Sequence, residues 1–309
     1  MTGVVDAVGL AALAVLLAQP GCARLAAARW PRRAPRSALA LWLAVGLAAG
    51  LAGVGALLSL GLAPLGGHLL PNLARCAVEV AHGRDPLPGW AWPVTAAGLA
   101  LLAWQLAVLA RSLLSVAAHR RAHRGILDVV GTWEEELGSV VLEDARVLAY
   151  HLPGLRGSRV VVTRGCIDRT ERAELGAVLA HERAHARGHH EALLQPFVAW
   201  QRTFPFVPAA PAATAAVALL TELLADDAAV AQAGPRATLG ALGRIGCGAP
   251  GPAAVLDPTR DPATLDPATL VRIRRLLHGR PALPRAAVAA CWTAAALVLL
   301  LPTLLLSRV

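Results

Sequence analysis

Four stretches of the chain stay apolar for the length of a bilayer, and they divide everything else. Gly3 to Cys22 carries one acid, Asp6. Ser37 to Leu62 and Pro88 to Ala110 carry no charge, and Ala286 to Ser307 is interrupted only by Pro302. A helix needs about 20 such residues to cross the hydrocarbon layer, so each stretch predicts a transmembrane helix. Trp90 and Trp92 stand at the start of the third, where an interfacial belt belongs. Between residues 111 and 285 no comparable stretch occurs.

In that middle region the polarity becomes periodic. Leu175, Val178 and Leu179 form a helical stripe. Glu171 and Glu174 lie in the first turn, Thr170 or Asp168 can cap it, and Gly188 can stop it. Ser139–Leu142, Arg146–Tyr150 and Arg159–Thr163 read as strands, punctuated by Pro153-Gly154 and Gly157. Together they predict a small sheet whose last strand lies beside the helix. Its residues Val160, Val161 and Val162 then offer an exposed edge where a substrate chain can add as a strand; a plain packing sheet is the other reading.

Arg111 to Arg124 continues the third span as helix. Ala212 to Ala233 is a second long helix, stopped at Gly234-Pro235. Between these helices, Gln195 to Pro211 holds Pro196, Pro205, Pro208 and Pro211 and all three phenylalanines. It reads either as a loop dipping into the membrane surface or as a kinked hairpin over the site. Residues 246–267 are low in complexity and read as a loop. Asp266 caps a helix with Pro267 at its first position. That helix carries Arg272, Arg274, Arg275 and His278 towards the last span.

The fold class expected is mainly α and integral to the membrane. Residues 1–116 hold three transmembrane helices (about 3–22, 37–62 and 88–110). Residues 117–283 form a helical domain with a small β-sheet, and 284–309 form the fourth transmembrane helix.

Composition agrees. Of 309 residues 56% are hydrophobic, with mean hydropathy +0.54, which excludes an ordinary soluble domain. The net charge is +9, carried by arginine without any lysine. Arg24, Arg29, Arg32, Arg33 and Arg36 crowd the first loop, and Arg111, Arg120, Arg121 and Arg124 follow the third span. By the positive-inside rule these regions are cytoplasmic, and both termini lie outside. The location expected is the inner or plasma membrane, multi-pass, with the 117–283 domain in the cytoplasm. No basic residue precedes the first apolar run, which suits a retained anchor rather than a cleaved leader. Topology accounts for the basic loops, so no direct nucleic-acid binding is expected. The outer loop, Ala63 to Leu87, is too short for a folded sensor domain. The cysteines, Cys22, Cys76, Cys166, Cys247 and Cys291, contain no C-x-x-C and indicate neither a disulfide framework nor a nucleophile.

The chemistry sits at His181-Glu182-Arg183-Ala184-His185, an H-E-x-x-H. On a helix, positions four apart share a face. His181 and His185 can then hold one zinc ion, and Glu182 can reach a water in the metal's open position. A third ligand is needed. Glu222 lies on the second long helix, with Asp226 four residues on, among Leu219, Leu220, Leu223 and Leu224. A carboxylate in apolar company wants a charged partner, and zinc would be one. Asp226 then suits the role of acceptor for the other N–H of a histidine ligand. A rival reading takes Glu191 as third ligand, completing H-E-x-x-H-x-x-G-x-x-E, close to the metzincin run. In the first reading His189 and His190 are exposed helix-end residues.

H-E-R-A-H followed by E-x-x-x-D, with three spans before and one after, resembles the integral-membrane gluzincin peptidases. It is most similar to the BlaR/MecR type, the β-lactam-sensing antirepressor peptidases, with the CAAX prenyl endopeptidase and heat-shock membrane peptidases more distant. The resemblance implies His181, His185 and Glu222 as zinc ligands, Glu182 as base and Asp226 as the supporting aspartate, with one Zn2+ per chain. Arg272 or Arg275 matches a basic residue near the site, and Arg272 is taken as a substrate contact. The partners implied are a protein or peptide substrate, a cytoplasmic transcriptional repressor among the candidates, and the lipid bilayer. The β-lactam receptors carry a penicillin-binding domain after the fourth span; no S-x-x-K motif occurs here, so antibiotic sensing is not expected of this chain alone.

The function expected is a membrane-embedded zinc metalloendopeptidase acting on the cytoplasmic side, in regulatory proteolysis or signalling. The competing class is a non-catalytic signalling or scaffold protein that keeps zinc for structure. A channel or carrier is disfavoured, because the spans contain only Asp6 as an ionisable residue.

Overall fold

The structure is a computed structural model that describes residues 2–154, 157–246, 266–279 and 282–307. The expected loop at 246–267 falls largely outside the described residues, as does Cys247. In chain order the elements are α1 (Thr2–Leu16), α2 (Cys22–Ala27), α3 (Pro35–Leu62), α4 (Leu69–Ala81), α5 (Ala91–Val130), strands β1 (Gly131–Glu134), β2 (Ser139–Leu142), β3 (Ala149–Leu152) and β4 (Arg159–Thr163), then α6 (Arg164–Arg169), α7 (Arg172–Arg187), α8 (His190–Thr203), α9 (Ala209–Gly246), α10 (Pro267–His278) and α11 (Arg285–Ser307). The chain is mainly helical with one small mixed sheet. Among the described residues, four helical stretches are long and apolar enough to cross a membrane: Gly3–Ala27, Pro35–Leu65, Ala91–Val130 and Arg285–Leu306.

These elements divide into two compact units. The first comprises Met1–Ser112, Leu194–Val217 and Leu283–Val309. Its centre is α3, against which α1 and α11 both pack. Trp42 of α3 is fully buried and meets Phe197 edge-on, ring centroids 6.3 Å apart. Gly61 and Gly98 allow α3 and α5 to touch, since a Cβ on Gly61 would strike Thr95 and one on Gly98 would strike Leu58. Away from these contacts large apolar side chains stay exposed, among them Leu99, Trp104, Leu106 and Leu297. α1 passes through a π-helical turn at Leu17–Gly21, around Pro20, before α2. The expected outer loop contains the helix α4. Residues expected as a loop or hairpin at 195–211 are helical to Thr203 in α8, with Pro196 inside it, and helical again from Ala209.

The second unit comprises Leu113–Leu193 and Ala218–Ala282. Its sheet has the order β1-β2-β4-β3, with β2 and β4 parallel and the other pairs antiparallel. β4 alternates between two cores. Val160 and Val162 pack with Leu175, Val178 and Leu179 of α7, while Val161 packs with Leu127 of α5, Val140 and Leu152. A strand covered on both faces tolerates an unbroken Val run. It is also paired along both edges, Val161 opposite Val141's neighbour Val140 on one side and Tyr150 on the other. This corrects the expectation for Val160, Val161 and Val162: they are an interior strand and have no edge to offer. Among the described residues the sheet edge on the α7 side belongs to β3. β3 begins three residues later than the strand expected from Arg146, and β1 was not expected.

α7 is capped by Glu171 through a reciprocal capping box with Glu174, one residue beyond the caps expected. Glu174 also receives Arg244 Nε at 2.7 Å, which ties α7 to α9. Gly234 interrupts α9 at φ +82°, and the helix resumes through Pro235; the stop expected there is a kink. Asp266 caps α10 as expected, its side chain accepting from Ala268 N–H at 3.4 Å.

Candidate metal centre

α7 supplies two imidazoles one turn apart, and α9 brings a carboxylate to them. His185 Nε2 lies 3.1 Å from His181 Nε2. Glu222 Oε2 lies 3.4 Å from His181 Nε2, and Glu222 Oε1 lies 3.4 Å from His185 Nε2. Zinc bonds of about 2.0–2.1 Å in a tetrahedron set donor–donor separations of about 3.3 Å. The two imidazole nitrogens, and the Glu222 oxygen nearest each of them, therefore stand at about the separations that a tetrahedral ion sets between its ligands. They are nitrogen, nitrogen and oxygen, a zinc set that leaves a fourth position open. Among the described residues this is the cluster that meets the geometry of a metal site.

Each imidazole is held from behind. His181 Nδ1 donates to Asp226 Oδ1 at 3.2 Å, and Asp226 is fully buried. His185 Nδ1 lies 3.0 Å from His190 Nδ1. Burial, with His185 beside it, pulls the pKa of His190 down to about 4. A neutral His190 can accept a proton from His185 Nδ1. This corrects the expectation that His190 is an exposed helix-end residue: it is buried, whereas its neighbour His189 is exposed. Gly188 ends α7 as expected, but the positive φ, +49°, belongs to His189. Gly188 matters for another reason. A Cβ there would run into the His190 ring.

α10 adds a cation. Arg272 donates from Nε and Nη2 to the two oxygens of Asp226 at 2.9 and 2.7 Å, and its Nη1 lies 2.8 Å from Glu222 Oε2. Its guanidinium faces the carboxylates of α9. Arg275 makes a parallel pair with Asp227 and also donates to Leu223 O. Burial by itself would raise the pKa of Glu222 and Asp226. Hydrogen bonds from the histidines and Arg272, with the arginine's charge, outweigh it and hold both carboxyls below the usual range. Burial likewise disfavours the charged form of His181, yet the bonds to Asp226 and Glu222 carry its pKa up to about 10. A divalent ion would draw on the same carboxylates and compete with that proton.

Glu182 points to a different partner. Its Oε2 accepts from His151 Nδ1 at 3.2 Å, and the His151 ring stacks on His185 with 6° between planes. His151 comes from β3 and was not singled out in the sequence. Its signal was a polar residue in the short run Ala149-Tyr150-His151-Leu152. Glu191, the rival third ligand, lies outside the cluster and pairs with Arg120 at 2.6 Å.

A search of curated proteins and a search of solved structures each gave no match to the chain. A family model does match: residues 117–236 fit Peptidase family M48. The matched run holds the sheet, both histidines, Glu182, Glu222 and Asp226, and ends before α10. M48 peptidases are in general zinc-dependent, and a match that coincides with a His-His-Glu cluster supports an M48 family metallopeptidase.

Proposed function

We propose that the chain is a membrane-embedded zinc metalloendopeptidase that cleaves a protein substrate at the cytoplasmic face. The observation that carries this reading is the convergence of His181, His185 and the Glu222 carboxylate at separations of 3.1, 3.4 and 3.4 Å, with Glu182 next to His181 on the same helix. His181, His185 and Glu222 would hold one zinc ion. Bound there, zinc would polarise the scissile carbonyl and lower the pKa of a bound water towards ~7. Glu182 takes the proton of the attacking water and passes it to the leaving amine. Asp226 fixes the ring and tautomer of His181, and His190 does the same for His185. Arg272 supplies the counter-charge to Glu222 and Asp226; with its nitrogens so engaged, we assign it this role in place of the substrate contact expected from the sequence. The free edge of β3 supports strand addition by an extended substrate, the part first assigned to β4.

The distribution of arginines supports the cytoplasmic placement, with both termini outside. The arrangement of spans around an H-E-x-x-H…E-x-x-x-D site supports regulatory proteolysis of the BlaR/MecR kind, with a cytoplasmic repressor as one substrate candidate.

The test is zinc content and cleavage in detergent-purified protein. Wild type should hold one zinc per chain and digest dye-labelled casein. Glu182→Gln should keep the zinc and lose cleavage by at least about a hundredfold, the scale of a missing general base. Glu222→Ala should lose the zinc. Cleavage retained in Glu182→Gln would remove the base assignment. Zinc retained in Glu222→Ala would return the third-ligand role to Glu191. A zinc-loaded wild type without any cleavage would favour a non-catalytic scaffold.

A further inference from the structure

β3 is short, and its two faces do different things. Tyr150 and Leu152 turn towards α5: Tyr150 O–H meets His123 Nε2 at 2.8 Å, and Leu152 joins the cluster with Leu127 and Val161. The strand's period of two therefore sends Ala149 and His151 to the other face, against α7. There Ala149 packs on the sheet–α7 core, and His151 reaches Glu182 at 3.2 Å.

Both nitrogens of His151 point to one tautomer. A carboxylate only accepts, so the proton on this pair sits at Nδ1. His151 Nε2 is buried and has no hydrogen-bond partner among the described residues. With the proton at Nδ1, the buried Nε2 carries a lone pair; with the other tautomer it would be an orphaned N–H and two lone pairs would face each other across 3.2 Å. The ring lies parallel to His185, centroids 5.2 Å apart, which fixes its rotation. His151 is thus a rigid, single-purpose donor aimed at one oxygen of Glu182.

We propose that His151 is a positioning residue for the general base. It occupies Oε2 of Glu182 and leaves Oε1 to face the attacking water. The inference rests on the peptidase reading above and adds to it the group that orients the base. Orientation of this kind acts on the chemical step, so its loss should lower kcat and leave KM almost unchanged.

The experiment compares wild type, His151→Ala, His151→Asn and His151→Gln in detergent-purified, zinc-loaded full chain, with dye-labelled casein as substrate. Asn puts an amide NH2 near the place of Nδ1, whereas Gln reaches towards Nε2. Loss of an outer partner that orients a site group costs roughly 10–100-fold. His151→Ala should therefore lose kcat by about 10–100-fold with KM within about threefold, and its zinc content and melting temperature should stay near those of wild type. His151→Asn should recover most of the loss, and His151→Gln should not. Wild-type kcat in His151→Ala overturns the proposal while leaving the peptidase intact. So does an equal loss in all three variants carried by KM or by zinc content, which would mark His151 as packing or as part of the metal's surroundings. A zinc-loaded wild type that leaves casein uncut overturns the peptidase reading and this inference with it.

Discussion

His190 occupies space that only a glycine at 188 leaves open. The consequence would reach a bound metal through one bond, since His190 lies 3.0 Å from Nδ1 of His185. Gly188→Ala should push the His190 ring aside and free His185 to rotate. We expect zinc affinity to fall about tenfold, the lower end of what a lost outer partner costs, with Glu182 and the sheet untouched. Competition with a chromogenic chelator reads the change. Unchanged affinity would mean that His190 only fills space. The same residue shows where the sequence misleads. Next to exposed His189, at the end of an Arg- and His-rich helix, His190 reads as solvent-facing. What buries it is the turn at His189, φ +49°, which redirects the chain, and no local signal announces that turn.

At the scale of elements, α10 is fastened to α9 by two arginine–carboxylate pairs, Arg272 with Asp226 and Arg275 with Asp227. Removing one partner of a buried pair typically costs 3–5 kcal/mol, and partial exposure of Asp227 reduces that to about 2 kcal/mol. Arg275→Ala should lower thermal stability accordingly, whereas Arg274→Ala should change it little; equal effects would mean that the pair does not fasten the helix. The elements themselves were largely legible. The apolar spans, the stripe of α7 and the Asp266-Pro267 start of α10 rest on local rules of length, period and capping, and they stand. Sheet order was not legible, because pairing depends on residues far apart in the chain. Val160-Val161-Val162 reads as an edge because it is the last strand before the helix, yet its unbroken branched apolar run is the mark of a strand covered on both faces. His151 escaped notice for a related reason: its importance follows from which strand borders α7. In the site, the spacing of H-E-x-x-H and E-x-x-x-D predicted the three-donor cluster, because helical period alone puts those side chains on two faces that can meet.

For the whole molecule, the four apolar helices and the arginine bias give an orientation that can be measured. A phosphatase reporter, active only outside the cytoplasm, should report at both termini and at Gly83; a reporter active only in the cytoplasm should report at Gly138, in the turn between β1 and β2. The reverse pattern would place the peptidase site outside and remove any cytoplasmic substrate. The charge of the chain also has a consequence for how the site fills. The protein as a whole carries +9, but its candidate metal centre holds three carboxylates, Glu222 and Asp226 on the Arg272 guanidinium and Glu182 on His151. Once the ion has displaced the His181 proton and the imidazoles are neutral, a single divalent cation cancels the excess negative charge. Such an ion first approaches a molecule of its own sign and is attracted only at close range. Added salt screens the first interaction beyond about 10 Å at 0.1 M and hardly touches the second. Loading is therefore a process that moderate ionic strength speeds, and the ion, once seated, is one that the same salt does little to release.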